Sequence, residues 1–240
     1  MTVKKAELLY SGKAKSLFTT DQKDLLIAEF RDDTTAFDGI KKEALSKKGE
    51  VNNQINAHIM QVLEEAGIPT HHVETLSPTE EVVRRLKMIP LESVVRNVAA
   101  GSLCRRLGVT SGMQLDPPLY ELFLKNDELH DPLINENHAV SFAWATTEQL
   151  QRMKALTLEI NTVLSKLFSD VGLLMVDAKF EFGVGSDGKI YLGDEISPDS
   201  CRIWDKVTHE PLDKDRFRKD LGNVVGSYQI IAEKLGVAVA

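Results

Sequence analysis

The sequence of 240 residues has only two cysteines, Cys104 and Cys201, two tryptophans and no long apolar run. Two cysteines provide neither a disulfide framework nor a complete zinc site of cysteine ligands. No apolar stretch approaches the roughly 20 residues that cross a bilayer. The segment from Met1 to Glu7 lacks the apolar stretch and cleavage site of a signal peptide. We therefore expect a cytoplasmic protein that does not enter a membrane.

Basic residues are also in deficit, since 29 Lys and Arg face 36 Asp and Glu and give a formal charge of −7. Acids and bases are interspersed and form no sustained basic stripe. Because affinity for nucleic acid depends largely on neutralising phosphates, we expect no nucleic-acid partner. Small phosphorylated ligands stay possible, through local clusters of lysine and arginine.

The remaining composition, 42% apolar and 27% charged, is typical of a globular chain. Apolar periodicity and turn residues predict strands at 7–18, 25–30, 82–89, 91–98, 119–125, 173–182 and 189–196. They predict helices at 49–66, 101–107, 146–170 and 215–235, and polar loops at 32–39 and 126–137. This order favours an α+β protein with a cleft between two lobes. Residues 1–88 form the smaller, β-rich lobe and residues 89–240 the larger α+β lobe.

An acidic hairpin follows the third predicted helix. Alternation along its first strand places Asp177, Lys179 and Glu181 on one face. A tight turn at 187–188 would pair Glu181 directly with Asp194, where two carboxylates repel by up to roughly 1 kcal/mol. A divalent cation reverses that effect, and one or two carboxylates completed by substrate phosphates suit Mg²⁺.

The alternative for the hairpin is a surface strand whose charged side chains lie on its solvent-exposed face. The apolar run from Leu173 to Val176 argues against it, because a strand that is apolar on both faces enters from the interior. Ile190 and Leu192 share a face with Asp194, so a bulge could shift the register.

A glycine-containing segment near the N-terminus, Ser11 to Lys15, is a second candidate. It is not a Walker A motif, because the glycine spacing is missing. Gly12 allows close approach of a ligand, and Lys13 and Lys15 would project from the same face to hold phosphates. A solvated basic edge strand is the alternative.

Two clusters combine arginine with serine. Arg96 precedes a turn of small residues and Ser102 at a predicted helix start, where an anion is favoured. Asp199, Ser200 and Arg202 directly follow the hairpin. Each arginine could instead form a surface ion pair.

The other polar residues give weaker signals. Residues 125–127 and 130–132 either line the mouth of the cleft or form a plain loop. We expect His71 and His72 to be exposed, and Cys201 to have no catalytic role because no base neighbours it.

Nearly the whole chain resembles the phosphoribosylaminoimidazole-succinocarboxamide (SAICAR) synthetase family. The resemblance is strongest in three blocks, at 89–102, 174–183 and 193–205, and extends to 11–15, 35–39 and 51–54. It differs slightly at Ser200-Cys201, where some relatives have Gly-Ser. It implies a two-lobed ATP-grasp-like or kinase-like fold, ATP-driven ligation of carboxyaminoimidazole ribonucleotide (CAIR) to L-aspartate, and a homodimer.

The resemblance also implies a role for each candidate residue. Residues expected at the ATP site are Gly12, Lys13, Lys15, Met88, Asp177 and Lys179. Residues expected at the ribonucleotide are Arg96, Ser102, Asp199 and Arg202, and the expected Mg²⁺ ligands are Glu181 and Asp194. Those expected to take part in catalysis are Lys13, Lys179 and Arg202.

Phosphoryl transfer to the imidazole carboxylate, followed by attack of the aspartate amine on the acyl phosphate, fits this inventory of lysines, arginines and metal. A protein kinase would carry a His-Arg-Asp catalytic loop, which the sequence lacks. A non-catalytic nucleotide-binding protein would have no reason to keep Lys13, Glu181 and Asp194 together.

Overall fold

The computed structural model describes residues 3–36 and 39–239. The strands are β1 (Lys5–Ser11), β2 (Lys15–Thr20), β3 (Leu25–Phe30), β4 (Asp33–Ala36), β5 (Lys41–Ala44), β6 (His72–Ser77), β7 (Glu80–Arg84), β8 (Lys87–Val98), β9 (Gln114–Leu124), β10 (Leu133–Ile134), β11 (Leu173–Val184), β12 (Ile190–Gly193) and β13 (Cys201–Asp205). The α-helices are α1 (Lys48–Glu65), α2 (Gly101–Leu107), α3 (Glu136–Ser141), α4 (Thr147–Asp170), α5 (Asp215–Arg218) and α6 (Val224–Lys234). A 3₁₀ turn covers Asp127–Leu129.

The first sheet is antiparallel and has the strand order β1-β2-β3-β7-β6. The single strand expected over 7–18 is wrong, because the chain turns between β1 and β2. The Gly12 N–H donates to the Lys15 carbonyl at 2.8 Å and closes this turn. Lys13 therefore lies in the turn and Lys15 in β2, not on one face of the same strand.

The segment expected to be a loop over 32–39 is partly a strand, since β4 pairs with β5. Phe37 and Asp38, within the 35–39 block, lie outside the described residues. The second predicted loop, 126–137, contains the 3₁₀ turn, β10 and the start of α3.

The second sheet has the order β10-β9-β8-β11-β12, and β13 also pairs with β11. The two strands expected on either side of Pro90 are one strand, β8, which lies between β9 and β11. Along β11, Ala178, Phe180 and Phe182 are buried in the main core, as the alternation predicts. The opposite face of β11 is thereby left to Asp177, Lys179 and Glu181.

Helix α4 packs against this sheet and α1 packs against the first sheet, and both confirm the predicted periodicity. In α4 the capping box is present: the Gln149 backbone N–H donates to the Thr146 hydroxyl at 3.2 Å, and the Thr146 backbone N–H donates to the Gln149 side-chain oxygen Oε1 at 2.9 Å. Helix α1 buries Val51, Ile55 and Ile59 completely. Its apolar side joins the same core as α4 and the second sheet. The division of the chain at residue 88 stays a prediction.

The single helix predicted over 215–235 is wrong. The chain forms α5 and α6, separated by residues with positive φ at Asp220, Gly222 and Asn223. The Arg216 guanidinium accounts for the break, since it donates to the carbonyls of Leu221 at 3.1 Å and Gly222 at 2.8 Å. Among the described helices, none has the length and apolarity of a membrane span.

Candidate active site

A cavity of about 940 Å³ is lined by residues from both large sheets. All of the site residues predicted from the sequence line it: Gly12, Lys13, Lys15, Met88, Arg96, Ser102, Asp177, Lys179, Glu181, Asp194, Asp199 and Arg202. Lys125, Asp127, His130 and Asp131 line it as well, so the segments expected at the cleft mouth do contribute to it.

The predicted register of the acidic hairpin is wrong by one residue. Glu181 pairs with Gly193 rather than with Asp194. The turn is longer than two residues, since Gly185 N–H donates to the Lys189 carbonyl at 2.9 Å and closes a five-residue loop. Asp194 follows the end of β12 with a φ of 57°, which redirects its side chain.

Glu181 and Asp194 nevertheless converge on one cation. The Lys179 ammonium forms an ion pair with Glu181 and a second with Asp194 at 3.2 Å. Glu92 accepts a third contact from it at 3.3 Å. The two carboxylates thus reach a common point from different positions along the hairpin.

Two further lysines surround this cluster. Lys15 pairs with Asp194 and, at 3.3 Å, with Glu195, and Lys125 pairs with Glu181. Burial alone would lower the pKa of Lys15, but the charges of Asp194 and Glu195 outweigh it and raise that pKa. Burial alone would likewise raise the pKa of Asp194, yet the surrounding lysines hold it well below its ordinary value. Lys15, Lys179 and Asp194 are therefore charged at neutral pH.

Lys13 is placed differently from Lys15. It lies in the turn between β1 and β2, half of its side chain is exposed, and it pairs with Asp127 at 2.8 Å. The pair connects the turn of the first sheet to the 3₁₀ segment that follows β9. Asp127 has a lowered pKa because Lys13 donates a hydrogen bond to it.

Asp177 binds two arginines at once. Its carboxylate accepts from the Arg96 guanidinium at 2.7 Å and from the Arg202 guanidinium at 2.9 Å. Arg96 also donates to Glu121 at 2.7 Å, and Arg202 contacts Asp215 at 3.3 Å. The carboxylates hold both planar groups in fixed positions on the cavity wall.

Backbone and hydroxyl groups lie close to these arginines. The Ser102 hydroxyl is 3.4 Å from Arg96. Gly101 begins α2 with a φ of +56°, and a Cβ there would stand 2.5 Å from an Arg202 nitrogen. Only glycine leaves room for the guanidinium at this helix start.

The Asp199 side chain is buried inside the protein. It accepts hydrogen bonds from Lys48 at 2.8 Å, Asn52 at 3.0 Å and Tyr228 at 2.7 Å. Burial would raise its pKa, but Lys214 and Lys48 lower it strongly. The geometry indicates that Asp199 anchors the segment before Arg202 to α1 and α6.

Met88 lies on the apolar side of the cavity. Two glycines make room for its side chain: a Cβ at Gly183 would stand 2.9 Å from the Met88 sulfur, and one at Gly193 would stand 3.1 Å from its methyl group. Leu17, Leu26, Ala28, Val83 and Leu86 also line the cavity.

Several charged or polar wall residues were missed as candidates: His71, Glu92, Glu195, Lys214 and Arg218. Glu92 could have been found, since it belongs to the block at 89–102. Glu195 could have been found too, since it belongs to the block at 193–205. The other three come from separate segments that only the fold brings together. The expectation that His71 and His72 are exposed is wrong, because both are buried at the start of β6. Cys201 is buried, and burial raises the pKa of its thiol to about 12, consistent with no catalytic role.

The family described as SAICAR synthetase matches residues 8–235. The chain belongs to the SAICAR synthetase family. It is 68% identical over 240 residues to the phosphoribosylaminoimidazole-succinocarboxamide synthase of Coxiella burnetii, with 100% of each chain covered.

Solved structures agree with this membership. The crystal structure of phosphoribosylaminoimidazole-succinocarboxamide synthase from Ehrlichia chaffeensis superimposes with a TM-score of 0.95 at 42% identity, covering 98% of this chain and 100% of that one. A SAICAR synthetase in complex with ADP gives a TM-score of 0.92 at 44% identity, covering 95% and 97%. These likenesses confirm the resemblance to the SAICAR synthetase family and the α+β, ATP-grasp-like fold.

Proposed function

We propose that this chain ligates CAIR to L-aspartate with cleavage of ATP to ADP and phosphate, a step of de novo purine biosynthesis in the cytoplasm. One observation carries the proposal. A single cavity holds a cluster of lysines and carboxylates suited to a nucleotide and a cation, and a pair of arginines suited to a second phosphorylated molecule.

The ATP site is proposed at the side of the cavity that combines Lys15 with apolar residues. A relative of the same fold is described as a complex with ADP, which supports a nucleotide here. Gly12 and Lys13 belong to the turn between β1 and β2, and both line the cavity together with Lys15. Met88 offers an apolar surface to the base, while the lysines neutralise the phosphates.

The carboxylates of Glu181 and Asp194 are suitable ligands for Mg²⁺. Both carboxylates already converge on a cation, the Lys179 ammonium, and their donors are oxygens only. Within residues 3–36 and 39–239, no cluster of three or more metal-ligating side chains forms a complete cage. Mg²⁺ prefers one or two carboxylates with the remaining positions filled by phosphate and water, so this sparse set suits it. When bound, Mg²⁺ would neutralise charge on the nucleotide phosphates.

The 5′-phosphate of CAIR is proposed at Arg96, Ser102 and Arg202. Guanidinium groups bind phosphate through paired N–H donors, and Asp177 holds these two in place before the anion arrives. Asp199 contributes indirectly, by fixing the segment that carries Arg202.

The reaction proposed has two steps. An oxygen of the imidazole carboxylate attacks the γ-phosphorus of ATP, the bond to the bridging oxygen breaks, and ADP leaves with its electron pair. The aspartate amine then attacks the acyl carbon, phosphate leaves, and the amine proton passes to a phosphate oxygen or to water. Lys13, Lys179 and Arg202 serve this chemistry by positioning and neutralising the phosphoryl groups.

Isotope transfer tests the proposal. CAIR whose carboxylate carries ¹⁸O should give inorganic phosphate that contains one ¹⁸O atom, because that oxygen stays with phosphorus when the amide forms. Phosphate release should require both CAIR and aspartate. Phosphate without ¹⁸O would contradict the acyl phosphate, and sustained release without aspartate would contradict the ligase.

A homodimer belongs to the same proposal, on the family resemblance. Sedimentation equilibrium should give twice the chain mass of 26.7 kDa. A mass of one chain at micromolar concentration would contradict it.

A further inference from the structure

His71 contributes a buried ring nitrogen to the cavity that none of the contacts above accounts for. Its side chain lines the cavity, and the residue is only 8% exposed. Within the described part of the chain, no group lies within hydrogen-bond distance of its Nε2 atom. A buried nitrogen without a partner is unfavourable, so a ligand that supplies one gains affinity from it.

The backbone fixes His71 where the two large sheets meet. Its N–H donates to the Leu192 carbonyl at 2.8 Å, and its carbonyl accepts from the Arg84 N–H at 2.7 Å. The neighbouring His72 is satisfied by the protein itself, since its Nδ1 lies 2.8 Å from Glu81. Of two adjacent buried histidines, one is held in a protein pair, and the other belongs to the cavity wall and has a buried Nε2 without a hydrogen bond.

The charge state of His71 decides which part of a ligand it suits. The charged groups that face it are Glu81, Lys15, Asp194 and His72. Burial, the largest influence, lowers its pKa, so the ring is neutral at pH 7. A neutral imidazole is a weak counter-ion for phosphate, but it offers one donor or one acceptor to an uncharged heteroaromatic edge.

The surroundings of His71 also suit a flat, uncharged ring. Leu26, Ala28 and Val83 line the same cavity, and they come from β3 and β7, next to β6 in the first sheet. The charged partners of a phosphate chain, Lys15 and Asp194, belong to the ion-pair cluster already described.

We propose that His71 Nε2 hydrogen-bonds to the edge of the adenine base that carries N7 and the 6-amino group, and contributes to selecting adenine over other bases. This proposal rests on the proposed function, because it requires the nucleotide to bind in this cavity. A single hydrogen bond of this kind corresponds to about a tenfold change in affinity.

Calorimetry with ADP and Mg²⁺ tests it on three proteins. His71→Phe keeps a ring but removes the nitrogen, and should raise the Kd for ADP about tenfold. His71→Gln keeps a hydrogen-bonding group and should recover most of that loss. His58→Phe is the matched control, since His58 lies half-buried on α1 and does not line the cavity.

Base analogues identify the contact on the unmodified protein. The diphosphate of 7-deazaadenosine lacks N7, and that of purine riboside lacks the 6-amino group. One of them should bind the wild type about tenfold more weakly than ADP, and should lose little further affinity in His71→Phe.

The outcomes separate the two proposals. If the wild type fails to bind ADP, the proposed function is refuted. If the wild type binds ADP and both analogues with the same affinity, the role of His71 is refuted. The role is also refuted if His71→Phe weakens the binding of ADP and of both analogues by the same factor and His71→Gln restores none of that affinity. The histidine would then contribute only through packing.

Discussion

Replacing Asp177 with asparagine should destabilise the fold through the two arginines that share it. The substitution preserves the shape of the side chain and one acceptor oxygen. It removes the negative charge that lies 2.7 Å from Arg96 and 2.9 Å from Arg202. Both guanidinium groups are largely buried, so water replaces the lost charge poorly.

The size of the effect follows from what each arginine retains. Breaking a buried ion pair by removing one partner costs roughly 3–5 kcal/mol. Arg96 keeps its contact with Glu121 and Arg202 keeps Asp215, which favours the lower end. We expect a loss of about 3 kcal/mol in the free energy of unfolding. For a chain of this size, that lowers Tm by about 6–12 °C.

Urea unfolding followed by tryptophan fluorescence measures this loss, with Asp170→Asn as the matched control. Asp170 pairs with Lys166 at 2.7 Å on the exposed surface of α4, where the same change should cost less than about 0.5 kcal/mol. Inorganic phosphate should stabilise Asp177→Asn more than the wild type, because an anion between the guanidinium groups restores the missing charge. A loss below about 1 kcal/mol, or one equal to the control, would refute the reasoning.

Three further predictions concern the rest of the site. Glu181→Gln should weaken Mg²⁺-dependent binding of ADP by at least about tenfold in calorimetry, because it removes one of two anionic ligands. Gly101→Ala should raise KM for CAIR more than KM for ATP in steady-state kinetics, because its Cβ would stand 2.5 Å from an Arg202 nitrogen. Asp213→Asn should gain stability relative to the wild type as pH rises from 4 to 7 in urea titrations. Burial, reinforced by Asp215, raises the pKa of Asp213 to about 7, so the native wild type keeps a proton that the unfolded chain releases. The difference changes by at most about 1.4 kcal/mol per pH unit.

Each of these has an outcome that would contradict it. For Glu181→Gln, it is an unchanged ratio of ADP affinities with Mg²⁺ and with EDTA. For Gly101→Ala, it is an equal rise in both KM values. For Asp213→Asn, it is a stability difference that stays constant over the window.

The sequence sufficed for features whose signal is local. The capping box of α4 and the alternation along β11 each depend on residues within a few positions, and both are as predicted. Part of the cavity wall was predictable too, because most of the predicted site residues belong to blocks that resemble the family.

Features that depend on distant contacts were not predictable. The hairpin register required the five-residue loop and the left-handed Asp194, whose side chain is held by Lys15 from another sheet. The burial of His71 depends on its backbone contact with Leu192, more than a hundred residues away. The break before α6 is a local exception, because Arg216 donates to the carbonyls of Leu221 and Gly222, five and six residues further along the chain.

The ion pairs between the lysines and the acidic hairpin would make the binding of nucleotide and of the proposed Mg²⁺ interdependent. In the structure, Lys15 forms an ion pair with Asp194, and Lys179 forms one with Glu181. Phosphates that draw these lysines away would leave the carboxylates uncompensated and so favour Mg²⁺. Mg²⁺ at the carboxylates would in turn free the lysines for phosphates. By linkage, each ligand must strengthen the other by the same factor. The cluster would thus bind the metal–nucleotide pair more tightly than either component alone.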